Sequence, residues 1–424
     1  MQKIRATISL KEVGILKRVD DILTEQFQDA GKIGYVAWCI GLYFLVMPFD
    51  LIVIGSIGSL LKVIALLPVG AIILNYDKCT FNSMEALPVV LYAIYKQLST
   101  VYTVFPTFTF QETAKVASNA ALVFILGGLY CLNSKEIKLL KFSLFIGCLI
   151  TIGLLIIFAD FSAGGRLTIR TAANEVDQNY LIGYLIYIIP FSIEQLFTKR
   201  RYLSFAPVVA VYVIVIMAGS RGGLIAALVA TVISISGMLF ENKGHLGNHA
   251  APIILAGLGA ALGLMLVMQY LNPDVLERFS PDYVEENGTT GRKDIWIYLI
   301  HLFLQSTPLR EVFGYGAGVT SFVNRMNTRM AGHVAHNLWV DELVTGGVIG
   351  LFLLLLIHAV FMYTAINCRD TFTTAALMGF LIMCLNLSIT SYKPMWNCMI
   401  LIMLINKNRK KRLQLGVAQN ENTT

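Results

Sequence analysis

Charge is scarce in this chain. Asp, Glu, Lys and Arg make up only 14% of 424 residues, against 56% hydrophobic. With a mean hydropathy of +0.68, that balance excludes an ordinary soluble domain and points to a membrane protein. Cysteine is thin and unpatterned: seven residues, no CxxC and no Cys/His cluster, so neither structural disulfides nor a zinc site is expected. The first 32 residues mix Lys, Arg, Asp and Glu without an apolar core, so they are no cleavable signal peptide. No internal repeat is visible, and ionisable residues do not line a path through the apolar segments. Both absences count against a transporter or flippase.

What the chain has is long apolar runs. A stretch of about 20 residues spans a bilayer core as a helix. On that length about twelve spans follow, at roughly 33–53, 56–75, 84–104, 115–132, 138–158, 179–198, 202–219, 222–240, 250–271, 340–364, 371–392 and 394–406. The expected fold is all-α: a polytopic membrane helix bundle occupying 33–406 as one domain, with a long outer loop at 272–336. Residues 1–32 form an amphipathic tail and 407–424 a basic tail.

Lys and Arg in short loops give the orientation. The tail KNRKKR (407–412), the N-terminal lysines and arginines, Lys135, Lys138 and Lys141, and Lys199 to Arg201 all fall on one side if the spans alternate. That side is cytoplasmic, both termini included. Three segments then face outwards: 159–178, a turn near 219–222, and the loop 272–336. The basic ends are accounted for by topology and require no nucleic-acid partner.

The outer segments are rich in arginine and poor in lysine: Arg166, Arg170, Arg221, Arg278, Arg292, Arg310, Arg325 and Arg329. Arginine presents a planar fork of donors that matches phosphate oxygens in pairs, whereas lysine is a point charge. The pattern suggests an anionic ligand, with a phosphate or diphosphate fitting best. Headgroup contacts or pairing with Asp274, Glu277, Glu285 and Glu286 is the plainer reading, and it is the one that fits Arg278, Arg310, Arg325 and Arg329. Arg166 follows two glycines, which lets its backbone approach a ligand. Arg221, in Ser220-Arg221-Gly222-Gly223, stands between two apolar runs beside the free N–H groups of a starting helix. Asp177 and Asn179 are candidate caps for the helix after the first outer loop.

In the long loop, Arg292 to Gln305 reads as an amphipathic helix with Ile295, Trp296, Leu299, Leu302 and Phe303 on one side and Thr290 as its cap. Gly314, Gly316 and Gly318 mark a turn. Then comes AHNLWVDELVTGGVIGL (335–351), the stretch to which the rest must bring partners. A helix beginning near Asn337 would hold His336 at its N-terminus, where the dipole disfavours an imidazolium. A neutral imidazole can accept a proton from an attacking hydroxyl. Asp341 lies on another helix face, so no His–Asp couple is implied. Gly346, Gly347 and Gly350 would let the helix pack closely on a neighbour. In the first half, Lys96 sits mid-segment and could line a polar cavity. The outer segments hold no compact carboxylate cluster of the kind magnesium favours.

GGRLTIR, Asp177-Gln178-Asn179, GSRGG, TGRKDIW with Gly314-Tyr315-Gly316, and AHNLWVDELVTGGVIG together resemble the O-antigen ligase/polymerase superfamily in order and topology. The resemblance covers about 160 to 365. It implies a metal-independent, cofactor-free glycosyltransferase of GT-C-like architecture in the bacterial cytoplasmic (inner) membrane. Its donor would be an undecaprenyl-diphosphate-linked oligosaccharide and its acceptor a glycan hydroxyl, with a chain-length regulator as a further partner. By the same resemblance Arg166 and Arg221 bind the diphosphate and His336 is the base. Arg170, Arg292, His333 and Asn337 are additional substrate-binding candidates. Arg170 competes with Arg166, and His333 with His336. Polymerase and ligase share every one of these motifs.

Overall fold

The computed structural model describes residues 32–48, 53–54, 58–80, 84–157, 160–161, 165–168, 178–199, 202–241, 257, 269, 273–283, 292–320, 334–388 and 390–421. The described part is almost wholly helical. The first helix is α1 (Tyr35–Val46). A two-residue strand pair, β1 (Val53–Ile54) and β2 (Gly58–Ser59), joins it to the short helices α2 (Leu60–Ile64) and α3 (Leu66–Ile73). Then follow α4 (Ala86–Tyr102), α5 (Pro106–Leu122) and α6 (Ser134–Ile157). A second strand pair, β3 (Asp160–Phe161) with β4 (Leu167–Thr168), precedes α7 (Gln178–Leu185), α8 (Ile188–Lys199), α9 (Ala206–Met217) and α10 (Arg221–Glu241). After α11 (Pro273–Glu277), α12 (Arg292–Leu304) and α13 (Pro308–Phe313) come the long helix α14 (Leu338–Cys368), the shorter α15 (Thr371–Met383) and the long α16 (Lys393–Glu421).

Among the described residues four helices are long and apolar enough to cross a membrane: Ser134–Ile157, Asn179–Lys199, Arg221–Phe240 and Leu338–Cys368. Four shorter apolar helices accompany them, at Tyr35–Val46, Leu60–Ile73, Leu203–Met217 and Thr371–Met383. The expected span at 250–271 lies outside the described residues but for single positions, as does the N-terminal tail up to Gly31. The span expected at 371–392 is shorter than its apolar run. Helix α15 stops at Met383, and Leu385 to Ser388 and Thr390 to Tyr392 run without helix before α16 begins. The reason is local: Asn386, Ser388, Thr390 and Ser391 offer side chains that compete for backbone groups, and Pro394 opens the next helix. Such backbone is tolerated at membrane depth only where protein or a cavity surrounds it.

One continuous apolar core runs through α1, α4 to α10 and α14 to α16, with Trp396, Tyr43, Tyr92, Tyr187 and Phe44 among its largest fully buried side chains. The closest helix pairs are α10 with α15, α1 with α6, and α4 with α5. A smaller core of Ile295, Leu299, Phe303, Val319, Ala335 and Val344 packs α12 onto the start of α14. That is the apolar side predicted for the loop helix, with Trp296 donating its indole N–H to the Ala335 carbonyl at 2.7 Å.

Helix α14 is broken. Gly347 has φ +64°, and any Cβ there would collide with the Val312 carbonyl and press on the Gly314 nitrogen. The carbonyls released by the break are taken up by the glycine-rich turn. Tyr315 N–H donates to Val344 O at 3.0 Å, Gly316 N–H to Thr345 O at 2.9 Å, and Tyr95 Oη to Gly346 O at 2.5 Å. The GYGAG string is thus a backbone clamp on a kinked helix. Close packing on a neighbouring helix, expected of Gly346 and Gly350, is only part of their use. Both make room for the Glu342 carboxylate, and Gly350 also lies against Tyr95.

Candidate active site

The turn between α9 and α10 is built by its own residues. Helix α9 ends at Ala218, whose N–H donates to Ile214 O at 2.9 Å, and Gly219 turns the chain with φ +58°. Ser220 then caps α10, its Oγ accepting from Gly223 N–H at 3.0 Å. The same hydroxyl donates to Asn179 Oδ1 at 2.5 Å. Asn179, expected to cap α7, therefore ties that helix to the Ser-Arg-Gly-Gly turn. Asp177 lies outside the described residues.

Three arginines gather at this turn. Arg166 donates from Nε to the Ala218 carbonyl at 2.9 Å, the negative end of α9. Arg278, just past α11, lies against Gly219. A methyl on that glycine would stand 3.3 Å from both Arg166 Nε and Arg278 Cδ. Arg221, in the first turn of α10, faces the Tyr283 ring at 5.8 Å and is close enough to Arg278 for the two charges to repel. Arg278 Nε is buried with no hydrogen-bond partner among the described residues. Like charges brought together around an unsatisfied buried donor are costly without an anion. From the sequence alone Arg278 reads as a headgroup or ion-pair residue, and the fold corrects that by placing it against Gly219. Its place in the fold was hidden because 57 positions separate it from Arg221 in the sequence.

The non-helical segment after α15 connects this turn to the histidine. Asn386 lies so close to Gly222 that a side chain there would overlap its amide. Its Oδ1 accepts from Arg292 Nη1 at 3.1 Å. Two residues on, Ser388 Oγ accepts from the His336 N–H at 2.7 Å, and the Cys384 carbonyl accepts from Leu338 N–H at 2.8 Å. His336 itself has φ +49°, a region that non-glycine residues seldom occupy and that clusters at functional sites. Asn337 caps α14: its Oδ1 accepts from Trp339 N–H at 3.0 Å and Val340 N–H at 3.2 Å. That is a structural use of a residue expected to bind substrate. Arg170 and His333 lie outside the described residues, with Arg325 and Arg329.

The acids that follow His336 are committed elsewhere. Asp341 accepts from Thr320 Oγ1 at 2.6 Å. Glu342 is fully buried, taking Lys96 Nζ at 2.9 Å and Tyr92 Oη at 2.8 Å. Lys96 therefore binds α4 to the histidine helix. Among the described residues no group of three or more His, Cys, Asp and Glu side chains is placed to hold a metal ion.

Residues 206–355 match the family model of the O-antigen ligase. The family region takes in the Ser-Arg-Gly-Gly turn, Arg278, Arg292 and His336, and stops within the kinked helix. Arg166 precedes it. The O-antigen ligase family implies glycosyl transfer of the ligase/polymerase type by a membrane protein, as the sequence motifs suggest. No curated protein matches the chain. A solved structure from work on polymerization and crosslinking by a peptidoglycan synthase complex aligns with it, covering 78% of this chain and 98% of its own at 15% identity, with a TM-score of 0.46.

Proposed function

We propose that the chain is a surface-polysaccharide polymerase. It transfers a glycan from an undecaprenyl diphosphate carrier to a hydroxyl of a lipid-linked repeat unit, on the outer face of the cytoplasmic membrane. The observation that carries this is the gathering of Arg166, Arg221 and Arg278 at Gly219, with the Arg278 Nε buried and unsatisfied. A diphosphate satisfies it, and the N-terminus of α10 adds oriented N–H groups.

In the proposed reaction the acceptor oxygen forms a bond to the anomeric carbon of the donor. The bond from that carbon to the phosphate oxygen breaks, and its electron pair stays on the diphosphate. The arginines stabilise that growing charge. The hydroxyl proton passes to the imidazole of His336. Fixed guanidinium groups take the place that a divalent cation holds in other glycosyl transfers, so the reaction runs without metal.

The test is reconstitution of the purified protein with the lipid-linked repeat unit as sole substrate, in the presence of a chelator. A ladder spaced by one repeat is expected. Transfer only when lipid A-core is supplied would make the chain a ligase. Movement of lipid-linked substrate across the bilayer without transfer would make it a transporter. Arg166→Ala, Arg221→Ala and His336→Ala should each abolish the ladder at equal membrane level. A normal ladder from His336→Ala removes the base, and one from Arg221→Ala removes the diphosphate clamp.

A further inference from the structure

A second basic site lies far from the arginines along the chain, where the apolar part of α16 gives way to its basic end. A cavity of about 660 Å³ opens there, lined by Lys78, Lys407, Lys410 and Lys411, with Tyr130 and Leu413. Among the described residues its lining holds no carboxylate. Three separate pieces of chain build it: the turn after α3, the residues after α5, and α16.

Two features show that the cavity is constructed. After Leu122 the backbone widens into a π-helix over Val123–Leu129, a departure that is frequent at functional sites. Lys407 Nζ donates to the Gly128 carbonyl in that stretch and to Thr80 O at 2.8 Å, which fixes one cation in the wall. Glu85 compensates one of the four lysines, its Oε1 accepting from Lys410 at 3.0 Å and from Asn406 Nδ2 at 2.7 Å. Lys78 and Lys411 are exposed. Beside Lys78 stand Leu74 and Tyr76, exposed at 79% and 80%, and beside Lys411 stands Leu413 at 59%.

We infer that this cavity binds the phosphate-bearing headgroup of an anionic membrane lipid. Lysines at the end of a membrane helix attract such headgroups. The exposed apolar side chains beside them offer a surface for acyl chains that a soluble phosphate would leave uncovered.

Native mass spectrometry of the full chain in detergent, titrated with phosphatidylglycerol and separately with phosphatidylethanolamine, tests the assignment. Tighter binding of phosphatidylglycerol is expected, weakened about 30-fold in Lys78→Gln/Lys411→Gln and restored in Lys78→Arg/Lys411→Arg. Lys115→Gln, a lysine outside the cavity, should leave binding unchanged. Unaltered phosphatidylglycerol binding in the double Gln variant overturns the site, as does an equal loss in Lys115→Gln. Displacement of the lipid by inorganic phosphate of equal affinity overturns the lipid as ligand. None of these outcomes depends on glycosyl transfer.

Discussion

At the scale of single residues, the informative atom is Arg278 Nε. A buried donor left without an acceptor costs about 1–3 kcal/mol, and here it sits in a group of like charges that raises the cost. A group that burdens the folded protein but completes a ligand site should behave oppositely in two assays. Arg278→Ala is expected to leave thermal stability unchanged or slightly raised, and to lower transfer by about 100-fold through loss of one charge-assisted phosphate contact worth about 3 kcal/mol. Arg278→Lys should recover only part, because an ammonium lacks the guanidinium fork. Melting temperature and initial rate on the same preparations check this. A variant that melts early and transfers at the normal rate would show Arg278 to be a brace for α9.

At the scale of elements, the histidine helix is held by contacts that its own sequence only half announces. The helix start near Asn337, the amphipathic face of α12 and the start of α10 behind Ser220 were all legible, because helix starts and periodicity are local. The break at Gly347 was not. Two adjacent glycines in an apolar run read as close helix packing, and only the approach of Val312 to Gly316 shows what the freed carbonyls do. The Lys96–Glu342 pair is hidden for a related reason: Lys96 reads as a charge lining a polar cavity, and nothing local in the sequence points across 246 positions to Glu342. Removing one partner of a buried pair costs about 3–5 kcal/mol, while replacing both with apolar residues is close to neutral. Lys96→Met and Glu342→Met should therefore each destabilise the protein by that amount, and Lys96→Met/Glu342→Met much less than either. Chemical or thermal unfolding in detergent measures the cycle, and additive losses would show that the two residues act independently.

The other end of α14 carries a pH dependence. Asp370 caps α15 by accepting from Thr373 N–H at 2.9 Å, and receives Lys141 Nζ at 2.6 Å. Burial pushes its carboxyl up, but Lys141 and Thr373 outweigh burial and hold it below the usual carboxylate value of 3.8. A depressed carboxylate contributes stability that is fully present above its unfolded value and is lost as pH falls through the folded one. Melting temperature should hold from neutral pH to about pH 4, near the ordinary Asp range, and then fall. In Asp370→Asn the fall should be shallower, since Asn still caps but no longer titrates. An identical acid profile in both proteins would assign the loss to other carboxylates.

At the scale of the whole molecule, polar groups collect at two ends, and alternating spans explain which. One end brings together Gly34 with Glu136, Glu85 with Lys410, Ser134 with Asn408, and Lys141 with Asp370. The other holds Arg166, Arg221, Arg278, Arg292 and His336. Helix α14 has 31 residues, about 45 Å if straight, enough to carry the chain from His336 to Asp370 across a bilayer. The charge pattern of the loops assigns Lys135, Lys141 and the KNRKKR tail to one side, and the hydrogen bond from Ser134 to Asn408 joins the start of α6 to that tail. The apolar runs made the spans legible; their number stays at the expected twelve only as a proposal, because length alone misjudged where α15 stops. The topology makes a sharp prediction. In a cysteine-free variant, Asp282→Cys should react with a membrane-impermeant maleimide on intact cells, and Arg412→Cys only after the membrane is opened. Labelling of Arg412→Cys on intact cells would put the basic tail outside and the arginine cluster in the cytoplasm. A donor presented on the outer face could not then reach the arginines, and the proposed reaction would fail on topology alone.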